Sequence, residues 1–327
     1  MNSELALCYY PTQIALVDDN SHFLLALTLH MEKQFSCCTF SDPHAALKFA
    51  NRGNERKPKV PPNVDFSRLV HNDFEDIIHL TFNQSDSLRK QHDRYQQLSV
   101  VVVDYQMPEI NGLDFCRQLN NPNIKKVLLT SEISQSQVID AFNEGIIDYY
   151  VCKGKRNFIE DLHDAVARLQ HEYFRDLSRQ LKTRALEGLD AIFKEPALSK
   201  HFFSVCQEYK VREYYFATKP SRYILHTHDE QEISMLIFSV DDINKHVQIM
   251  EEENAPKDLI KKVQSGDYLP YFSSSDGYYE PELEQPNNWL LKSHKIQGSQ
   301  LFYCALFSTS LNCNETVPFT NIVATFH

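Results

Sequence analysis

Glycine is scarce in this chain, with 8 among 327 residues. A glycine-rich loop that cradles nucleotide phosphates is not present. The 8 cysteines are scattered, no C-x-x-C occurs, and the one close pair is the adjacent Cys37 and Cys38. That pattern predicts free thiols in a reducing cytoplasm rather than a disulfide framework. Apolar runs of membrane-spanning length are missing, and the segment MNSELALCYYPTQ lacks the basic-then-apolar order of a signal peptide. Positive charge is also short: 33 Lys and Arg face 44 Asp and Glu, a net of −11. Such a balance disfavours nonspecific nucleic-acid binding and docking on anionic membranes. What remains, 42% hydrophobic and 24% charged residues, is ordinary for a globular protein long enough for two domains.

One stretch stands out. VVVVDYQMPEING, residues 100–112, places four valines before a bare aspartate, Asp104. Around it, QIALVDD, SCCTFS, KKVLLTS and DYYVCK read as strands. SHFLLALTLHMEKQ, DPHAALKFANR, residues 111–119, SQVIDAFNEG and the segment from 157 onward read as helices. Alternation of this kind predicts an α/β fold: a doubly wound, five-stranded parallel sheet with helices on both faces. Residues 51 to about 97 interrupt the rhythm and are expected to be an insertion in one crossover. Phe158, Leu162, Val166, Leu169, Tyr173, Leu177 and Leu181 form one apolar stripe on a long helix. The stripe fits either packing within the chain or a seam between two chains.

After residue 205 the pattern changes to runs of strands around two helices, VDDINKHVQIMEEE and PKDLIKKVQSG. This predicts an α+β domain with an antiparallel sheet. The expected organisation is therefore a first domain over 1–172, a linker helix over 173–204 and a second domain over 205–327. Residues 201–327 hold 10 Lys and Arg against 17 Asp and Glu, with no recognition helix. Direct DNA binding is not expected. Lys257, Lys261 and Lys262 read as a solvated helix face. His226, His228 and Asp229 of HTHDE are candidate metal ligands, because alternate residues of a strand share a face. A regulated metalloenzyme, or a nucleotide-binding domain, centred on 226–230 is the alternative reading. Tyr214, Tyr215, Phe272, Trp289 and Tyr303 read as core aromatics or as a pocket lining.

In a parallel α/β sheet, ligands sit beyond the carboxyl ends of the strands. Asp18, Asp19, Asp104, Thr130 and Lys153 all fall there. Three clustered carboxylates repel one another unless a cation joins them, and hard oxygen donors with room for water suit Mg²⁺. A screened aspartate can then serve as nucleophile toward phosphorus.

LVDDN, VVVVDYQMPEINGLDFC, VLLTSE and AFNEGIIDYYVCKG, in this order and spacing, resemble the response-regulator receiver domains of two-component signalling. The resemblance implies a CheY-like, flavodoxin-like fold with Asp104 as phosphoacceptor and Asp18, Asp19, Asp104 and the backbone carbonyl of Gln106 holding Mg²⁺. It implies Thr130 and Lys153 as phosphoryl-contacting residues and Tyr150 as the switch aromatic, with Pro108 and Gly112 shaping the turn after the acceptor. A sensor histidine kinase or phosphotransfer protein is the implied phosphoryl donor. Homodimerisation is expected through the fourth helix, fifth strand, fifth helix and linker. Gly154 departs from the family's usual proline after the lysine and predicts a looser loop. Gln106 and Glu132, two residues past Asp104 and Thr130, are expected to tune phosphoryl lifetime. The pattern REYYFAT … NAPKDLIKKVQSGDYLPYF … NWLLKSH … LFYCALF resembles the LqsR-like response regulators of Legionella-type quorum sensing. That resemblance implies a place downstream of sensor kinases that detect a small hydroxyketone autoinducer, and it does not specify the molecular activity of the second domain.

Overall fold

A computed structural model describes residues 4–52, 95–131, 135–185, 190–218, 220–272 and 277–308. Most of the insertion expected at 51–97, and Glu132, lie outside the described residues. The chain divides into two compact units, one centred on residues 10–184 and one combining residues 1–9 with 185 onward.

The first unit is the expected parallel sheet. Strands β2 (Gln13–Val17), β3 (Ser36–Phe40), β4 (Leu98–Asp104), β5 (Lys125–Thr130) and β6 (Tyr149–Cys152) lie in the order β3-β2-β4-β5-β6. All four pairings are parallel. Helices α1 (Ser21–Met31) and α5 (Phe158–Ala185) supply Leu24, Leu27, Leu162 and Val166 to a core on one face. Helices α2 (Pro43–Arg52), α3 (Gly112–Arg117) and α4 (Gln135–Asn143) contribute Leu47, Phe115 and Val138 to the core on the other. Because both faces are covered, alternation gives way to a continuous apolar run, and Val100 to Val103 are all fully buried. Each contributes on the order of 1.5–3 kcal/mol of transfer free energy.

The apolar stripe of α5 is used inside this unit. Leu162, Val166 and Leu169 belong to its core, and Tyr173 is buried. Beyond the sheet, Gln170 donates to the Thr12 hydroxyl over 3.0 Å, Tyr173 bonds Gln97, and Lys125 pairs with Asp176 at 2.5 Å. Phe174 packs edge-on against Tyr10. The apolar surface of Leu162, Val166, Leu169 and Tyr173 is thus covered within the unit, as one of the two readings of the stripe expects. Leu177 is half-buried, and the Leu181 side chain lies outside the description.

The second unit is an antiparallel sheet in the order β1-β7-β8-β9-β13-β12. Its strands are β1 (Cys8–Tyr9), β7 (Val211–Thr218), β8 (Ser221–Thr227), β9 (Glu232–Ser239), β12 (His294–Gln297) and β13 (Leu301–Ser308). A separate pair is formed by β10 (Tyr268–Pro270) and β11 (Leu290–Lys292). Helices α8 (Val240–Glu252) and α9 (Lys257–Gln264) cover one face, with Met250, Leu259 and Val263 packed on Leu236 and Phe238. Helices α6 (Asp190–Lys194) and α7 (Pro196–Glu208) bring Phe193 and Phe202 onto Phe216, Tyr214 and Tyr223.

Three expectations need correction here. The 173–204 segment is not one linker helix: α5 runs to Ala185, and α6 and α7 pack in the second unit. KIQGS, residues 295–299, reads in the sequence as a connection between the strands NWLLKSH and LFYCALF, but Lys295, Ile296 and Gln297 belong to strand β12. The N-terminal segment does not belong to the first unit. Cys8 and Tyr9 pair with Tyr215 and Tyr214, and Leu5 and Ala6 are buried. The Phe216 amide donates to the Leu7 carbonyl over 2.7 Å, and the Tyr223 hydroxyl to the Ala6 carbonyl over 2.9 Å.

Candidate phosphoacceptor site

Strands β2, β4 and β5 end at one rim of the parallel sheet and carry the acidic cluster there. One carboxylate oxygen each of Asp18, Asp19 and Asp104 lies within 4.8 Å of the others. Asp18 and Asp104 are buried and Asp19 is exposed. Lys153, just past β6, donates to Asp18 Oδ2 at 2.6 Å and to Asp104 Oδ1 at 2.9 Å. Its amide donates to the Thr130 carbonyl over 2.8 Å, which fixes where the side chain leaves the backbone. The ammonium also lies 4.2 Å from the centroid of the Phe23 ring.

Burial pushes the Asp104 carboxyl above the usual carboxylate range. The hydrogen bond and charge of Lys153 pull it back down, and the charge of Asp18 pushes it up again. Thr130 is 3% exposed, and its hydroxyl has no hydrogen-bond partner among the described residues. A buried hydroxyl without a partner costs stability unless something occupies its lone pairs or accepts its proton. The donor set suits a small, hard divalent cation: three carboxylates, with Asp19 open to water.

The turn after Asp104 is shaped by two devices. The Ile110 amide donates to the Pro108 carbonyl over 2.8 Å, around a left-handed Glu109 with φ 70°. Gly112 opens α3 against the Asp104 carbonyl, where a Cβ would overlap that oxygen and come within 2.8 Å of Leu128 Cδ1. Gln106 is exposed beside the cluster. Tyr150 is 42% exposed on β6, and Ile139 and Phe142 of α4 are exposed as well. Gly154 sits in open space, with Cys152 Sγ at 3.9 Å as the nearest neighbour of a built Cβ.

Two features carried no motif. Asn20 caps α1 by accepting from the His22 and Phe23 amides, both at 3.1 Å, while its own amide donates to Asp18 Oδ1 at 2.9 Å. An Asn directly before a helical run is a cap signal. Phe23 is one apolar residue in an apolar helix, and nothing in its spacing marks it.

Residues 68–167 match the response regulator receiver domain family. The chain contains a receiver domain. The matched span holds Asp104, Thr130 and Lys153, whereas Asp18 and Asp19 precede it. The fold is similar to that of the Legionella pneumophila response regulator LqsR, with a TM-score of 0.77 and 23% identity. The similarity covers 95% of this chain and 91% of that one. A CheY-like receiver domain protein from Methanospirillum hungatei aligns with a TM-score of 0.35 and 13% identity, over 51% of this chain and 98% of its own. No curated protein matches the sequence.

In the second unit the HTHDE residues are not gathered. His226 faces Glu232 at 3.8 Å from within β8, while His228 and Asp229 are exposed in the following turn. Among the described residues, the acidic cluster of the receiver is the one group of three or more metal-ligating side chains. The metalloenzyme alternative thus loses its ligand set, because the strand ends at Thr227, before His228 can share a face with His226. Tyr214, Tyr215, Phe272 and Tyr303 are buried core aromatics, and Trp289 is half-buried against the cluster that holds Phe272 and Tyr303. No helix among the described residues is long and apolar enough to cross a membrane.

Proposed function

We propose that the protein is a response regulator that accepts a phosphoryl group on Asp104. The observation that supports this most strongly is the convergence of Asp18, Asp19, Asp104 and Lys153, with a buried Thr130 hydroxyl that has no partner among the described residues and whose carbonyl accepts from the Lys153 amide. An Asp104 carboxylate oxygen attacks phosphorus of a phosphohistidine on a sensor kinase or phosphotransfer protein. The new O–P bond forms as the P–N bond breaks, and the departing imidazole takes up a proton. Lys153 offers its ammonium to one phosphoryl oxygen, and Thr130 its hydroxyl to another. Mg²⁺, held by Asp18, Asp19, Asp104 and the Gln106 carbonyl, supplies charge neutralisation among the oxygens.

Movement of Thr130 toward the phosphoryl group vacates space that Tyr150 fills, so phosphorylation acts as a population shift. Ile139, Phe142 and Tyr150 give α4 and β6 an exposed apolar face, which supports homodimerisation there. Gln106 and Glu132 tune the lifetime of the aspartyl phosphate. The second unit passes the signal on by contact with a protein or small ligand rather than by catalysis or DNA binding. The sequence resemblance of the second unit to the LqsR-like regulators supports a place in quorum-sensing signalling, and the free cysteines support a cytoplasmic one.

Incubation with acetyl phosphate and Mg²⁺, followed by intact-mass measurement, tests the acceptor. One phosphoryl group is expected on the wild-type chain, none on Asp104→Asn and none in excess EDTA. Label retained on the asparagine variant would overturn the assignment.

A further inference from the structure

Lys153 is anchored at its backbone by the Thr130 carbonyl, and the loop that follows is closed by the Lys155 amide, which donates to the Cys152 carbonyl over 3.2 Å. Gly154 follows with no side chain, and a Cβ built there would touch only Cys152 Sγ. The ammonium is placed between Asp18 and Asp104 at hydrogen-bond distance from both. Its third neighbour is the Phe23 ring, 4.2 Å from Nζ to centroid. That ring is itself fixed. The Asn20 cap sets the start of α1 and binds Asp18 through its own amide. The ring also neighbours Phe158, with centroids 6.1 Å apart and planes tilted by 31°. Phe158 opens α5 directly after the Lys153 loop, and its amide donates to the Lys155 carbonyl over 3.2 Å.

We infer that Phe23 is a positioning residue for phosphoryl transfer: its ring face, with Phe158 as a neighbour, aims the Lys153 ammonium at the acceptor carboxylate. The inference rests on the proposed function of Asp104. A cation is drawn to the face of an aromatic ring by the ring quadrupole, and a partly desolvated site strengthens the attraction. The two carboxylates alone leave the ammonium free to pivot outward on its four-carbon stem, and the ring closes that side. A plain packing role for Phe23 makes a different prediction, because a leucine fills similar space without a π face.

The test compares Phe23→Leu and Phe23→Tyr in the full chain. The rate of labelling by acetyl phosphate with Mg²⁺ is expected to fall about two- to fivefold in the leucine variant and to stay near wild type in the tyrosine variant. In NMR spectra recorded without phosphoryl donor, the Lys153 ε-methylene resonance, assigned by its loss in Lys153→Met, is expected to be ring-current shifted upfield. The tyrosine variant keeps that shift and the leucine variant loses it. A leucine variant that matches wild type in rate and shift overturns the inference, as does a tyrosine variant as slow as the leucine one. Asp104→Asn runs in parallel. Label on that variant sinks the acceptor reading itself, whereas a silent Asp104→Asn with an unaffected Phe23→Leu sinks only the role of Phe23.

Discussion

Single residues in the receiver site divide into those fixed by contact and those with freedom. Gly112 is fixed: a methyl group there would collide with the Asp104 carbonyl and Leu128. Gly112→Ala should cost about 1–3 kcal/mol in urea unfolding, the range for overpacking a closed core. Gly154→Ala should be close to neutral in the same measurement, since its surroundings are open. Equal losses in both variants would contradict this assignment of space. The acidic residues, Thr130 and Lys153 were legible in the sequence because the fold rule for strand ends applies to polar residues whatever their neighbours. Phe23 was not legible, since an aromatic among Leu24, Leu25 and Leu27 carries no spacing that separates a ring aimed at a cation from a ring aimed at the core.

Among the elements, the start of α7 shows how one carboxylate ties distant chain segments together. Glu195 is buried, caps α7 through the Ala197 amide at 3.1 Å, and accepts from the Ser299 amide at 2.9 Å and the Ser299 hydroxyl. Gly298 lies so near that a Cβ would overlap the carboxylate. The Ser299 hydroxyl chiefly, with the two amides, holds the Glu195 carboxyl below its usual range, against the opposing effect of burial. Its folded-state pKa is depressed, so its stabilisation is fully present above the ordinary glutamate value and is lost as pH falls through the folded one. Glu195→Gln should lower the melting temperature at pH 7, and the gap to wild type should narrow as pH drops below about 4.3. A gap that does not change between pH 7 and strongly acid solution would refute the linkage. The elements of the parallel sheet were readable because hydrophobic period and length agree in each. β12 was not: HKIQ alternates too briefly, and its pairing with β13 comes from the hairpin rather than from its composition. The α5 stripe was readable as a stripe, but periodicity alone cannot name the surface it covers, and the polar anchors Gln170, Tyr173 and Asp176 decided that.

For the whole molecule, the boundary between the units crosses the sequence where composition gives no sign. Tyr9 pairs in the antiparallel sheet, and Gln13 begins the parallel one. Deleting residues 1–9 should remove the partners of Tyr214, Tyr215, Phe216 and Tyr223. The expected result is a lower melting temperature with Asp104 still labelled by acetyl phosphate. Unchanged melting would mean that β1 adds nothing to its sheet.

Strand β1 also imposes an order on biosynthesis. This strand precedes the receiver in chain order, and the remaining strands of its sheet emerge only after the entire receiver has been translated, so it must wait unpaired while the receiver folds. By the same logic, a chimera that exchanges receivers between relatives by cutting once, after the long helix, would bring in a foreign first strand. A compatible exchange needs a second crossover, placed among Tyr10, Pro11 and Thr12.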